Sequence, residues 1–135
     1  MSPRFDAIGL IVTDMAASVP FYRRLGFAFP DGSEQQPHAE ARLPGGARLM
    51  LDTEETVRSF HPGWRAPTKG PRSALALLCD GPAEVDTVYE ELTGAGYHGE
   101  LKPWDTAWGQ RYAVVHDPDG NAVDLFAPAE ASSAE

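Results

Sequence analysis

The segment from Trp108 to Phe126, WGQRYAVVHDPDGNAVDLF, contains the carboxylate whose chemistry is the first question. Its pattern predicts two β-strands joined by an Asp-Pro-Asp-Gly-Asn turn. Asp124 lies in the second strand, where a carboxylate can bind a metal ion, act as a general base or line a binding pocket. These three roles need different neighbours, so the other candidate residues decide among them.

The remaining groups that could do chemistry have ordinary structural explanations. His116 and Asp117 resemble a general-base pair, but adjacent strand residues face opposite ways, which favours a strand end that enters a turn. Glu90 and Glu91 fit the solvated face of a helix. Cys79, in the apolar run ALALLCD, fits a buried small hydrophobe better than a nucleophile. Neither a Gly-rich phosphate loop nor a Gly-x-Ser-x-Gly elbow occurs, so no catalytic residue is predicted.

Composition and charge exclude several classes of partner. The chain has 135 residues, one domain's length, and its 42% hydrophobic and 23% charged residues exclude a disordered protein. It carries 11 Lys and Arg against 20 Asp and Glu, a net charge of −9. That charge repels nucleic acids and anionic membranes, so neither is a predicted partner. It would attract a cationic ligand, although solubility alone is the simpler explanation.

The sequence also bears on location in the cell. No apolar stretch reaches the ~20 residues that span a bilayer. The apolar core of the start, MSPRFDAIGLIVTD, is too short for a signal peptide because Asp14 follows too soon. The single cysteine excludes an intramolecular disulfide. Together these features predict a cytoplasmic protein.

The chain contains an internal repeat. Residues 8–27 and 75–97 share an order of apolar strand, helix with an apolar stripe, and glycine stop near Gly26 and Gly94. Pro20 requires the first helix to begin late, near Ala17 or Ser18. Hairpin signals follow each helix, over 39–53 around Pro44-Gly45-Gly46 and over 110–127 around the Asp117–Asn121 turn. The predicted order is therefore β-α-β-β-β, twice.

These elements define the predicted organisation of the chain. The first βαβββ module covers residues 1–60 and the second covers 73–128. Residues 61–72 between them are rich in Pro and Gly and are predicted to form a linker or flap. The tail, 129–135, is predicted to be frayed.

Two segments, DMAASVPFYRRLGF and WGQRYAVVHDPDGNAVDLF, resemble the vicinal oxygen chelate superfamily of glyoxalases, extradiol dioxygenases, fosfomycin-resistance enzymes and bleomycin-resistance proteins. The order of Trp-Gly, a strand and Asp-Pro-x-Gly-Asn resembles the bleomycin-resistance-like branch. The resemblance covers roughly residues 5 to 128. It implies an α+β fold in which two βαβββ modules form cupped mixed sheets, paired in a homodimer.

The resemblance also implies where a metal would bind. In metal-using members the ligands come from the first and last strands of each module, and the matching positions here are Ala7, Met50, Ser73 and Asp124. Only Asp124 is a competent ligand, because Ala has no donor, a thioether suits hard ions poorly and a lone hydroxyl is weak. The four histidines lack ligand spacing and are predicted to lie in loops or at strand ends, at positions His38, His61, His98 and His116. No metal or other cofactor is predicted.

Aromatic residues near the predicted loops suggest a ligand site instead. Indole and phenol rings stack on planar groups at the rim of a cup. Trp64 fits a ligand contact or flap, Trp104 fits a structural role, and Trp108 fits either a ligand contact or a core-closing role. Strand alternation predicts four rows of residues that line the cup. These rows are Ala7, Gly9 and Ile11; Arg48, Met50 and Asp52; Ser73, Leu75 and Leu77; and Ala122, Asp124 and Phe126.

The sequence favours a binding protein over an enzyme. The first hypothesis is a metal-free protein that sequesters a bulky aromatic natural product and confers resistance to it. Its predicted ligand contacts are Trp108, Tyr112, Trp64, Asp124, Met50, Phe60, Ala7, Ser73 and Phe126. The alternative is a lyase, isomerase or dioxygenase of the glyoxalase type, either metal-dependent or with Asp124 as base. In a third hypothesis the cup serves assembly alone.

Overall fold

The computed structural model describes residues 4–67 and 73–129. The chain divides into two compact units, residues 1–66 (unit one) and 67–135 (unit two). Unit one contains, in order, β1 (Ala7–Val12), α1 (Met15–Arg24), a 3₁₀ turn (Ser33–Gln35), β2 (His38–Arg42), β3 (Arg48–Thr53) and α2 (Glu54–Phe60). Its strands form sheet one in the order β1-β3-β2, with β1 parallel and β2 antiparallel to β3.

Unit two has the predicted βαβββ order. It contains β4 (Ala74–Leu78), α3 (Pro82–Gly94), β5 (Gly99–Asp105), β6 (Gln110–His116) and β7 (Ala122–Pro128). These strands form sheet two in the order β4-β7-β6-β5, with β4 parallel to β7 and the other pairs antiparallel. The two mixed sheets with their helices confirm the predicted α+β class.

Unit one has one strand fewer than the predicted order requires. The segment that follows α1 forms the 3₁₀ turn, and Arg23 explains why. Its Nη2 donates to the carbonyl oxygens of Phe29 and Pro30 at 3.2 and 2.8 Å, and its Nη1 contacts Glu34 at 2.6 Å. These bonds hold the Phe29 and Pro30 carbonyls toward the α1 side chain, and Pro30 has no backbone N–H to donate to a strand ladder.

Helix α1 begins earlier than predicted. Its first residue is Met15, not Ala17 or Ser18, because the Asp14 side chain accepts from the Ala16 amide at 3.0 Å and caps the helix there. Pro20 consequently lies inside the helix. The predicted late start was therefore wrong: a good N-cap determined the boundary, and the helix tolerates the bond that Pro20 cannot make.

The predicted glycine stop is at the expected residue after α1 but two residues later after α3. Gly26, directly after the C-cap of α1, has φ of +94° as a left-handed residue should. Helix α3 ends at Gly94, but the left-handed residue is Gly96, with φ of +101°.

Helix α3 covers one face of sheet two. Its inward side chains Val85, Tyr89 and Leu92 are buried. The strand residues of the same core are Ala113, Val115, Val123, Leu125 and Ala127. An ion pair from Arg111 to Asp86 of α3 lies on this side as well. The opposite side, which carries Tyr112, Asp124 and Phe126, is called here the helix-free face.

The predicted boundaries are described only in part. Residues 61–67 of the predicted linker form neither helix nor strand, whereas 68–72 lie outside the described residues, as do 130–135 of the predicted tail. The frayed state of that tail stays a prediction. Among the helices that the structure describes, none is long and apolar enough to cross a membrane.

Gly99 is the position where the packing of α3 on sheet two is most sensitive to volume. A Cβ there would lie 2.7 Å from Tyr89 Cζ and 2.9 Å from Thr93 Cγ2, and would overlap the Tyr89 hydroxyl. We expect Gly99→Ala to lower the free energy of unfolding by about 1–3 kcal/mol, because buried Tyr89 must shift. The measurement is urea denaturation followed by circular dichroism.

Gly94→Ala is the matched control for this substitution. A Cβ at Gly94 meets nothing within 4 Å, and this residue ends the helix at ordinary φ. Its free energy of unfolding should stay within about 0.5 kcal/mol of the wild type or rise slightly. Equal stability of the two variants would contradict the close packing at Gly99.

Candidate functional site

Tyr112 and Asp124 form the central polar contact of the helix-free face. The register pairs Tyr112 of β6 with Phe126 of β7, and Val114 with Asp124, so the two polar side chains are diagonal neighbours. The Tyr112 hydroxyl donates a short hydrogen bond to Asp124 Oδ2. This hydrogen bond, together with partial burial, raises the pKa of Tyr112 to about 12. The phenol therefore stays protonated at neutral pH.

Three aromatic rings surround the Tyr112 ring. Phe126 stacks on it with a centroid distance of 6.3 Å and an interplanar angle of 29°. Trp104 and Trp108 present edges at centroid distances of 5.6 and 6.0 Å. Such arrangements are typical of favourable aromatic pairs. The four rings form a continuous apolar wall beside the Asp124 carboxylate.

Trp108 is both exposed and held in place. Its relative exposure is 64%, which is unusual for the largest apolar side chain. The indole Nε1 donates to Gln110 Oε1 at 2.9 Å. An exposed indole with its polar atom already bonded offers an oriented ring surface for stacking. This geometry favours the ligand-contact role predicted for Trp108, while the contact of Trp104 with Tyr112 fits its predicted structural role.

Small residues of β4 flank the carboxylate. Ala76 pairs with Asp124, Ala74 with Ala122, and Leu78 with Phe126. Both alanines are exposed. They leave room beside Asp124 that a larger residue would fill.

The register between β4 and β7 shows that the predicted row of β4 was wrong by one residue. We expected Ser73, Leu75 and Leu77 on the side of Asp124, but Leu75 pairs with Val123 and Leu77 with Leu125. Because Val123 and Leu125 belong to the core under α3, the two leucines face that core. Ser73 is exposed and precedes β4, outside the row that carries Asp124.

No described cationic side chain pairs with the Asp124 carboxylate. Among the described residues, no Lys, Arg or His lies within ion-pair distance of it. The residues of β4, β6 and β7 on this face include no Lys or Arg, and Arg111 faces the opposite side with Asp86. Within residues 4–67 and 73–129, this half-buried carboxylate beside aromatic rings therefore has no cation to compensate its charge.

The corresponding rows in unit one pair as predicted. Ala7 pairs with Arg48, Gly9 with Met50, and Ile11 with Asp52. A Cβ built on Gly9 would lie 3.7 Å from Met50 Cε, so this glycine leaves space for the flexible Met side chain.

A charged network on this face of sheet one was not predicted. His38 contacts Asp52 through Nδ1 at 2.6 Å and Glu40 through Nε2 at 2.7 Å. Arg48 donates to Glu40 at 2.8 Å and also pairs with Asp6. Because both ring nitrogens face carboxylates, only the imidazolium can donate to both. Hydrogen bonds to Glu40 and Asp52 raise the pKa of His38 above its ordinary 6.5.

A signal for this network was present in the sequence. The hairpin around Gly45 and Gly46 sets a register in which His38 lies opposite Asp52 and Glu40 opposite Met50. Counting outward from the turn would have found both. The prediction that the histidines lie in loops or at strand ends holds, since His38 begins β2 and His116 ends β6.

The four positions that the resemblance matches to metal ligands do not fit a metal ion. Ala7 has no donor, Met50 offers a thioether and Ser73 a single hydroxyl. Asp124 has one carboxylate oxygen bonded to Tyr112. Across residues 4–67 and 73–129 no group of three His, Cys, Asp or Glu side chains is placed to hold an ion. In the His38 network, the carboxylates already occupy both ring nitrogens.

The remaining candidates have local partners. The Trp64 ring lies 5.3 Å from the Arg58 guanidinium, a cation–π contact within unit one. Phe60 ends α2 and is 72% exposed. The ligand roles predicted for these two stay predictions.

The structural roles predicted for Asp117 and Cys79 are confirmed. Asp117 accepts from the backbone amides of Asp119 and Asn121 and organises the turn after β6. Cys79 is buried, and burial raises the pKa of its thiol, so it is poorly suited to act as a nucleophile.

Comparison with known protein families gives one match over most of the chain. Residues 4–125 match the family described as Glyoxalase/Bleomycin resistance protein/Dioxygenase superfamily. The protein YwbC of Bacillus subtilis, which is described as uncharacterized, is 27% identical over 129 residues, covering 93% of this chain and 98% of that protein.

Two solved structures illustrate the likeness in fold. A glyoxalase/bleomycin resistance protein/dioxygenase from Nocardioides superposes with a TM-score of 0.75 at 26% identity, covering 100% of this chain and 89% of that one. A structure described as a family enzyme from Burkholderia phytofirmans gives 0.79 at 18% identity, covering 91% and 97%.

The His38 network predicts how the stability of unit one depends on pH. A raised pKa means that the contribution of His38 is complete below 6.5 and is lost as pH rises through the folded value. Hydrogen bonds from His38 and then Arg48 lower the pKa of Glu40 below 4.5, so its contribution is lost only as pH falls through that lower value. Both contributions are complete between 4.5 and 6.5.

We therefore expect the stability difference between the wild type and His38→Asn to be largest in that interval and to shrink toward about pH 9. Urea denaturation at a series of pH values measures it, with His61→Asn in an exposed loop as control. A difference that stays constant between about pH 5 and about pH 9 would show that His38 does not bind as an imidazolium.

Proposed function

The chain belongs to the Glyoxalase/Bleomycin resistance protein/Dioxygenase superfamily, and from this premise we propose that it binds planar aromatic small molecules without a metal ion. The binding surface is the helix-free face of sheet two. The protein holds its ligand and releases it unchanged, as a sequestering protein of the bleomycin-resistance-like branch would. In a cell that meets such a compound, binding lowers its free concentration and confers resistance.

One observation carries this proposal. Asp124, the only competent ligand among the four family ligand positions, is bonded to Tyr112, whose ring contacts Trp104, Trp108 and Phe126. Apolar walls with a few placed polar groups are the usual composition of small-molecule sites. The exposed, oriented Trp108 supplies a stacking surface at the rim.

The proposal extends to assembly and location. The resemblance implies pairing in dimers, and we propose a homodimer in the cytoplasm as the working form. The ligand roles predicted from the sequence for Trp64, Phe60, Ala7, Met50 and Ser73 stay predictions.

An enzyme of the glyoxalase type is the second candidate. The similar protein from Burkholderia phytofirmans is described as a family enzyme, and Asp124, which has no cationic partner among the described residues, could act as a general base. Conversion of a bound compound, abolished by Asp124→Ala, would support this candidate. Recovery of the compound unchanged after stoichiometric binding supports sequestration.

The test uses ethidium, a planar aromatic dye, with tryptophan fluorescence of the intact protein as readout. We expect quenching that saturates in the micromolar range and a dye that mass spectrometry recovers unchanged. Trp108→Ala should weaken binding by roughly tenfold, whereas Trp108→Phe, which keeps a ring, should lose less. Phe5→Ala is the control, because Phe5 is also a largely exposed ring but lies in unit one. No quenching, or equal affinity of the Trp108→Ala and Phe5→Ala variants, would contradict the proposed surface.

A further inference from the structure

This inference rests on the proposed function. The hydrogen-bond donors and acceptors that Tyr112 and Asp124 leave free indicate which class of ligand the site can bind. The phenol has one hydrogen, and that hydrogen is committed to Asp124 Oδ2. What the phenol can still offer is a lone pair on its oxygen. An ionised carboxylate has only acceptor sites, and no described hydrogen bond occupies Asp124 Oδ1.

The pair therefore presents acceptors only. The phenol cannot reverse its role near neutral pH, because its pKa is raised to about 12 and its hydrogen points at the carboxylate. The indole N–H of Trp108 is already bonded to Gln110 Oε1. The Gln110 amide N–H₂, two residues along β6, remains for an acceptor elsewhere on the ligand.

The charge around Asp124 also favours a cationic ligand. Asp124 has no ion pair within the described ranges, and its neighbour across β4 is the small Ala76. Electron-rich faces of Phe126 and Tyr112 beside a carboxylate attract a cation, and the net charge of −9 adds to the local field. An anionic or oxygen-presenting ligand would place acceptors against acceptors.

We propose that the Tyr112–Asp124 pair recognises a planar organic cation with at least two N–H donors, such as an aromatic amidine or guanidine. One N–H donates to Asp124 Oδ1 and another to the Tyr112 oxygen, while the attached aromatic ring packs against the ring wall. Such a ligand presents N–H donors, whereas a substrate that chelates a metal ion presents two neighbouring oxygen acceptors.

The test compares three probes of one shape: 2-naphthamidine, 2-naphthamide and 2-naphthoate. The first is a cation with donors only, the second is a neutral amide with two N–H donors and one carbonyl acceptor, and the third is an anion with acceptors only. Calorimetric titration of the wild type at neutral pH and low salt should give the amidine about tenfold or more tighter binding than the amide, with the carboxylate weakest.

Two variants and one control assign the preference to this pair. Asp124→Asn keeps the shape, removes the charge and adds an amide donor, so it should weaken the amidine by about tenfold or more while the amide binds as well or better. Such opposite shifts cannot come from misfolding. Tyr112→Phe should weaken the amidine and spare the naphthyl stacking. Glu90→Gln removes one negative charge from an exposed position of α3. In this control variant the affinities for the amidine and for the amide should stay within about twofold of the wild-type values.

The outcomes separate this inference from the proposed function. Equal wild-type affinities for the three probes, or a preference that survives in Asp124→Asn, overturn the donor rule and leave aromatic binding standing. If none of the three naphthyl probes binds, the proposed function fails and the donor rule fails with it.

Discussion

A carboxylate that is partly withdrawn from water needs a donor or a cation, and Tyr112 supplies the donor for Asp124. The other features of the candidate site follow from that hydrogen bond. It fixes the rotamer of Asp124, directs the phenol proton inward and leaves acceptors outward. It also holds the Tyr112 ring against Phe126, Trp104 and Trp108, so that the apolar wall and the charge are positioned together.

The two units differ in whether the carboxylates on their sheets have cationic partners among the described residues. In unit one, the His38 imidazolium and Arg48 satisfy Asp52 and Glu40, and the network closes on itself. In unit two, no described cation satisfies Asp124, and the surrounding residues are aromatic or small. A closed network stabilises its own sheet face, whereas an uncompensated charge beside rings is available to a ligand. This contrast is why the candidate site lies on sheet two.

Local patterns predicted the parts of the fold that depend on local chemistry. The order of unit two and the rows that pair Gly9 with Met50 follow from period-two alternation and turn residues. Two features depended on contacts that spacing alone does not show. The capping of α1 by Asp14 overrode the constraint of Pro20, and the bonds from Arg23 to the Phe29 and Pro30 carbonyls replaced an expected strand.

The site was predicted in the same uneven way. Tyr112, Asp124, Phe126 and Trp108 were identified from residue type and alternation, and the structure brings them together. Their hydrogen bond needed the β6–β7 register, and the flanking Ala76 needed the β4–β7 register, where our row was one residue off.

The central claim is that Asp124 works as a pocket wall and not as a metal ligand. The direct measurement is the metal content of the purified protein, before and after incubation with zinc, nickel, manganese and iron(II) and then desalting. The residues at the family ligand positions predict that no stoichiometric ion is retained. About one retained ion per chain, lost in Asp124→Ala, would contradict the claim and favour a metal-dependent enzyme.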